Sequence, residues 1–454
     1  MKKLSNLLVA ILLTTMAITS CKKDKSVVVP PPAAPEVLSG DINANKTLTA
    51  DRAWILTGET HVTTGVTLTI EPGTIIKSDV AQKGALVIDK GGKLVANGTI
   101  DRPIVFTSGK AAGERAPGDW AGITIIGNAP TNRVATAIVE GGVRGSFGLG
   151  TLPNDNSGSL KYVRIEYAGI AFSANSEVNA LSLYAVGNGT TLEHIMVSFA
   201  KDDAFEFFGG TVNGKYLIAY GTSDDDFDFD FGYSGRLQFG VSMKRPELVD
   251  GGDQSNGIEC DNESPVPATG PSMPRTKPVI SNFTFIGTNG AAGELAAHNF
   301  ALRFRRASEF VFNNSVLIGY KEGGFVMESA ATATSYNTNA SSFKNNLVHA
   351  LKLPYGTFDS GAQGILLAAA VKTKAESEGC LSLANGSDAG LTAPYNLTAP
   401  IFTPAAGSPA LLGTWIAPES ATTFFTAVTY RGAFGATGNW LAGWANFTPN
   451  ATAY

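Results

Sequence analysis

Short runs in which apolar and polar residues alternate recur along most of the chain, separated by Gly, Asn and Asp, and no long stretch carries a helical period. Leu68-Thr69-Ile70-Glu71-Pro72-Gly73 aligns with Leu86-Val87-Ile88-Asp89-Lys90-Gly91. Asp202-Asp203-Ala204-Phe205-Glu206-Phe207-Phe208 aligns with Asp224-Asp225-Asp226-Phe227-Asp228-Phe229-Asp230. The strands upstream keep that second step, with His194-Ile195-Met196-Val197 over Tyr216-Leu217-Ile218-Ala219. The register extends to Asn179-Ala180-Leu181-Ser182-Leu183-Tyr184, Asn256-Gly257-Ile258-Glu259-Cys260-Asp261, Leu302-Arg303-Phe304-Arg305 and Phe325-Val326-Met327-Glu328. Repeats of about 18–24 residues made of short strands predict an all-β solenoid, in which each coil buries its inner face only against its neighbours. Leucine-rich repeats share this length, but their Leu/Asn pattern is missing, and a propeller needs a period of about 40.

The alternation assigns faces. Phe205, Phe227, Ile258, Leu302 and Phe325 point inward, as do Phe207, Phe229, Cys260, Phe304 and Met327. Three columns point outward: Asn179, Asp203, Asp225 and Asn256; then Ser182, Glu206, Asp228, Glu259, Arg303 and Val326; then Tyr184, Phe208, Asp230, Asp261, Arg305 and Glu328. Wider steps in the register mark insertions between Gly127 and Ser157, near Lys244 to Gln254 and near Glu263 to Pro278. Long loops on a rigid scaffold are where function usually sits.

The N-terminus follows another rule. Lys2 and Lys3 precede a short apolar run from Leu7 to Met16, too short to span a bilayer, and Ile18-Thr19-Ser20 leads into Cys21. These four residues resemble the lipobox of bacterial lipoproteins, which implies lipidation at Cys21 and a membrane partner through the N-terminal lipid. The expected organisation is a signal peptide at 1–20, a charged and Pro-rich tether at 21–40, a solenoid with loop insertions at 41–400 and a C-terminal capping segment at 401–454. A net charge of −5 gives no basic footprint for nucleic acid. Cys260 and Cys380 admit one bridge, although the inward position of Cys260 favours a buried free thiol.

The coils resemble right-handed parallel β-helices of the pectin-lyase-like superfamily. Gly118-Asp119-Trp120-Ala121-Gly122-Ile123, Lys201-Asp202-Asp203-Ala204-Phe205-Glu206-Phe207-Phe208-Gly209-Gly210 and Gly432-Ala433-Phe434 with Trp440 and Gly443-Trp444 are similar to a family of Bacteroidota lipoproteins. The resemblance covers residues 40 to 454 and implies a cell-envelope location, lipid-anchored at the outer membrane.

Coils stack about 4.8 Å apart, so the outward columns bring several carboxylates together, and two like charges at 5 Å cost roughly 0.8 kcal/mol in bulk water and several-fold more near a protein surface. Four accounts stay open: side chains fanning into solvent, a bound Ca²⁺ at Asp228 and Asp230, pairing with Arg303 and Arg305, or carboxyls held protonated. Glu206, Asp228, Glu259, Tyr184, Phe208 and Arg305 are candidate ligand-binding residues, with Tyr184, Phe208 and Tyr233 offering rings to a sugar.

Asp202, Asp203, Asp225 and Arg303 are the catalytic candidates. Some pectin-lyase-like hydrolases carry Asn-Thr-Asp, Asp-Asp, Gly-His-Gly and Arg-x-Lys in successive coils. Here Asn179 is followed by Ala180-Leu181, Asp202-Asp203 matches the pair, Asp224-Asp225 stands at the His position and Arg303-x-Arg305 is similar to the last motif. A lyase would instead use Ca²⁺ on a uronate with Arg303 or Lys244 removing a proton. The leading expectation is a non-catalytic β-helix presenting loops and an acidic face to a glycan or envelope protein; the alternative is a polysaccharide-degrading lyase or glycoside hydrolase.

Overall fold

The computed structural model describes residues 33–170, 177–251, 254–419 and 423–454. The signal segment, Cys21 and most of the expected tether lie outside them. Among the described residues, 26 strands share one hydrogen-bonded network whose pairings are parallel throughout. Crossovers between parallel strands of one sheet are right-handed, and the network closes into a right-handed parallel β-helix.

The register matches the alternation in the sequence. Phe205 pairs with Phe227, Phe227 with Ile258, Ile258 with Leu302 and Leu302 with Phe325, and all five side chains are fully buried. Phe205 and Phe227 stack with centroids 5.1 Å apart, as do Phe207 and Phe229. A one-residue slip would drive the outward carboxylates into this core.

Three faces surround the core. One, the carboxylate face, runs through Ala85–Ile88, Gly122–Ile126, Leu181–Tyr184, Phe205–Phe208, Phe227–Asp230, Ile258–Cys260, Phe300–Phe304, Gly323–Met327 and Leu353–Thr357. The other two are the halves of long strands such as Thr191–Ser198, Asn213–Tyr220 and Arg236–Met243. Each of these bends at one left-handed residue.

The bends form a ladder at Tyr162, His194, Tyr216, Phe239, Asn282, Asn314 and Asn345, with φ between 49° and 62°. Asn adopts this geometry readily, whereas other residues are strained by roughly 1–2 kcal/mol. Stacking of Tyr162 on His194 at 4.4 Å, His194 on Tyr216 at 4.4 Å and Tyr216 on Phe239 at 5.2 Å offsets that cost. His194 is thus a stacked structural side chain.

The two ends of the chain differ from the expected organisation. The first strand, Glu36–Ile42, already belongs to the solenoid. At the far end the helix Ala368–Ser377 buries Val371 and Ala375 in the main core cluster beside Cys380, and so caps the solenoid ahead of the expected capping segment. Cys260 and Cys380 are both buried free thiols, and burial pushes Cys380 up to about 12.

The described residues beyond 404 form a strap that returns along the side of the solenoid. Arg431 Nε donates to Asn345 Oδ1 at 2.9 Å, Ala433 N to Thr284 Oγ1 at 2.9 Å, Arg115 Nη1 to Pro449 O at 2.9 Å and Lys77 Nζ to Tyr454 O at 2.7 Å. Gly432, at φ 82°, lets the strap approach closely, since a Cβ there would lie 2.8 Å from Thr284 Oγ1.

Candidate functional site

The outward columns occupy the expected registers, yet they do different things. In the first, each side chain caps a backbone N–H of the next coil. Asn179 Oδ1 accepts from Asp203 N at 3.3 Å, Asp203 Oδ1 from Asp225 N at 2.8 Å, Asp225 Oδ1 from Asn256 N at 2.5 Å and Asn256 Oδ1 from Phe300 N at 3.2 Å. This is a brace along the solenoid axis. Asp203 and Asp225 are therefore committed to backbone support.

In the second and third columns, Glu206 pairs in register with Asp228, Asp228 with Glu259 and Glu259 with Arg303. Arg303 Nη1 donates to Glu259 at 3.2 Å and its Nε to Glu328 at 2.9 Å. Arg305 bridges Glu259 and Asp261, with Nε 2.8 Å from Asp261, and Arg306 adds a contact to Asp261 at 2.5 Å. Burial nevertheless pushes Asp261 up to about 7 against the pull of Arg306 and Arg303. Toward the N-terminal coils no ion pair among the described residues neutralises Glu206, Asp228 or Asp230. Burial, reinforced by neighbouring carboxylates, holds Asp203, Glu206, Asp228 and Asp230 well above the usual carboxylate range. Oδ1 of Asp228 and Oδ1 of Asp230 are buried without a hydrogen-bond partner.

The expectation of an open acidic face needs correction. Asp203, Glu206, Asp225, Glu259 and Asp261 point away from the core yet are each buried, at 4–8% exposure. The inserted segment between Gly127 and Ser157 lies over this part of the face: Val139, Val143 and Phe147 pack on Tyr184 and Phe208. Tyr184 and Phe208 stack on each other at 4.0 Å and Tyr184 Oη accepts from Glu140 N at 3.1 Å, so neither ring is available to a sugar. Tyr233 is buried as well, its hydroxyl donating to Val212 O at 2.8 Å. Lys244 is buried and held by Asp226 at 3.2 Å, which removes it as an accessible base.

The face opens again farther along. A cleft of about 370 Å³ is lined by Gln254, His298, Phe300, Arg303, Glu322, Glu328 and Phe358. Phe358 is 43% exposed and packs on Phe300 at 4.8 Å, giving the cleft an aromatic wall. His298 Nε2 lies 3.2 Å from Pro246 O and donates to it, which leaves Nδ1 as an acceptor with no partner. Burial pushes His298 down to about 4, so the ring is neutral at physiological pH. His298, Glu322 and Phe358 carry no periodic signal in the sequence.

A family model for the pectate-lyase-like β-helix domain matches residues 40–391. The chain belongs to this family. No curated protein and no solved structure matches it. Within this β-helix, the four catalytic candidates do not converge on one open space. Arg303 borders the cleft, while Asp225 sits two coils away, about 10 Å along the axis. Asp202 lies beside the braced column, and its carboxyl is raised by burial and by Glu177.

Two carboxylate trios could hold a divalent cation: Asp202 with Asp203 and Asp224, and Asp203 with Glu206 and Asp228, the ligand oxygens of each trio lying within 4.8 Å of one another. Hard oxygen donors of this kind suit Ca²⁺. The geometry groups Asp228 with Asp203 and Glu206 rather than with Asp230, the expected partner.

Proposed function

We propose that this β-helix is a lipid-anchored cell-envelope protein that binds an extracellular glycan, without cleaving it, in the cleft beside Arg303. The observation that carries the reading is the separation of roles on one face. Asp203 and Asp225 are buried and braced, whereas the accessible concavity has an aromatic wall and charged groups already engaged with one another. Phe358 offers a ring to the apolar face of a sugar, and Gln254 and Glu322 offer partners for hydroxyls. Ca²⁺ bound at Asp203, Glu206 and Asp228 would neutralise the unpaired end of the ladder. The lipobox-like Ile18-Thr19-Ser20-Cys21 supports an outer-membrane anchor.

A polysaccharide-degrading enzyme is the second reading, favoured by the carboxyls of Asp202 and Asp203, which burial and neighbouring carboxylates raise above the usual range, the direction a general acid requires.

A glycan array probed with the parent protein and with Phe358→Ala, followed by reducing-end and unsaturated-product assays on every hit, separates the two. The binding reading expects hits that Phe358→Ala weakens and that stay intact. Cleaved hits would establish the enzyme instead. The anchor is tested separately: Cys21→Ser should move the protein from the membrane to the soluble fraction, and retention on salt-washed membranes would rule out lipidation there.

A further inference from the structure

We propose a second ligand site, for an uncharged sugar residue, in the aromatic cavity between the strap and the bend ladder at Tyr216 and Phe239. It is independent of the cleft beside Arg303, since it lies at the bend between the other two faces and shares no residue with it.

The cavity measures about 380 Å³ and is walled by Tyr216, Tyr430, Phe434 and Trp440, with Thr437 and Asn439 at its rim. That volume falls in the range of small-molecule sites, and aromatic walls with a few polar groups are their usual lining. The strap treats neighbouring parts of the ladder differently. Over Tyr162 and His194 it seats Trp444 edge-on at 5.7 Å from each ring. At Tyr216 it brings Trp440 to 5.3 Å, and beside Tyr216 and Phe239 it leaves the open space of the cavity.

The walls are fixed before any ligand arrives. Trp440 Nε1 donates to Ala433 O at 3.0 Å, and Phe434 stacks on Trp440 at 5.2 Å and 3°. Tyr216 meets Trp440 at 5.3 Å and 60°, and because its own faces are stacked on His194 and Phe239 it turns an edge to the cavity. The backbone of Tyr430 is held by Asn282 Nδ2, which donates to its carbonyl at 3.1 Å. Gly435 keeps that wall in place, because a Cβ there would lie 2.9 Å from the Tyr430 ring.

No charged side chain lines the cavity. An anionic or cationic ligand would surrender its hydration with no counter-charge to replace it, whereas a neutral pyranose presents C–H groups to the rings and hydroxyls to Asn439, Thr437 and the phenols. Burial pushes Tyr430 up to about 12, so its hydroxyl remains a donor at physiological pH.

The test is saturation-transfer NMR and tryptophan fluorescence titration of the parent protein with neutral tetrasaccharides of glucose, xylose, mannose and N-acetylglucosamine, and with tetragalacturonate. At least one neutral tetrasaccharide should bind saturably, and Tyr430→Ala should weaken it by about tenfold, the worth of one ring contact. Thr437→Trp, a change at an exposed position that fills the rim, should also block it with the fold intact, while Phe358→Ala should leave it unchanged. The proposal is overturned if no neutral tetrasaccharide saturates, if tetragalacturonate binds this site equally well, or if a folded Thr437→Trp protein binds like the parent.

Discussion

The two ends of the carboxylate ladder share one register, and they reach neutrality in opposite ways. Toward the C-terminal coils, Glu259 and Asp261 are met by Arg303, Arg305 and Arg306 at ion-pair distance. Toward the N-terminal coils, Glu206, Asp228 and Asp230 face one another, and burial raises their carboxyls instead. The first end is complete within the chain. The second is stable only with bound protons or a cation, which makes it the responsive part of the face. Closing an open sheet surface with loops thus has different consequences depending on what the loops cover.

The largest effect should come from breaking the complete end. Arg305→Leu strands Glu259 and Asp261 as buried carboxylates with fewer partners, and removing one member of a buried pair typically costs about 3–5 kcal/mol. Urea denaturation should show a loss of that order, whereas Asp228→Asn, which relieves repulsion, should be neutral or stabilising in the absence of metal. Equal losses in the two variants would erase the distinction between the ends.

Next comes the cation. If Ca²⁺ binds Asp203, Glu206 and Asp228 only in the folded state, Ca²⁺ at a hundred times its dissociation constant adds about 2.7 kcal/mol by mass action. The melting temperature should rise with Ca²⁺ and fall back with chelator, and Asp228→Asn should abolish the rise. A parent protein indifferent to both reagents would leave protons as the sole means of neutralising this end.

The pH dependence then gives a smaller, signed effect. Asp203, Glu206, Asp228 and Asp230 have carboxyls raised above their ordinary value of 3.8 for Asp and 4.5 for Glu, with burial as the first cause. Above that range the folded chain binds more protons than the unfolded chain, so their contribution is present at low pH and is lost as pH rises through the folded values. Asp261, at about 7, places its part of the loss between about 4 and 7. His298 opposes them: its value falls from 6.5 to about 4, and stability is lost as pH drops through that interval. A tenfold difference in proton affinity between the folded and unfolded chain is worth about 1.4 kcal/mol. Without Ca²⁺, the decline in stability from pH 5 to pH 8 should be shallower in Asp228→Asn than in the parent, a difference in which His298 cancels. Parallel curves would mean that Asp228 titrates normally.

Much of this arrangement was legible along the chain, because strand alternation and coil spacing are local and repeat. Leu302 and Phe304 alone placed Arg303 over Glu259 across a long insertion, and the structure keeps that pairing. The covering of the face was not legible. Whether Tyr184 and Phe208 meet solvent depends on how Val139, Val143 and Phe147 fold back from an aperiodic segment, a matter of nonlocal packing. The cleft was missed for the same reason: His298 and Phe358 come from stretches where the repeat is interrupted. The strap beyond residue 404 has no coil to align with, so its return toward Lys77 left no pattern.

The smallest effect separates charge from hydrogen bonding in the braced column, which runs through both ends. Asp225 Oδ1 accepts from Asn256 N at 2.5 Å, and an amide oxygen can occupy the same place. Asp225→Asn keeps the brace while removing a charge that helps raise both Asp203 and Asp228, so stability should change by under about 0.5 kcal/mol and in the stabilising direction. Asp225→Leu keeps the volume but leaves Asn256 N buried without an acceptor, at a cost of about 1–3 kcal/mol. Urea midpoints of the two variants decide the matter. If Asp225→Asn loses as much as Asp225→Leu, the carboxylate matters for its charge, and the braced column would then belong to the responsive chemistry of the face rather than to its scaffold.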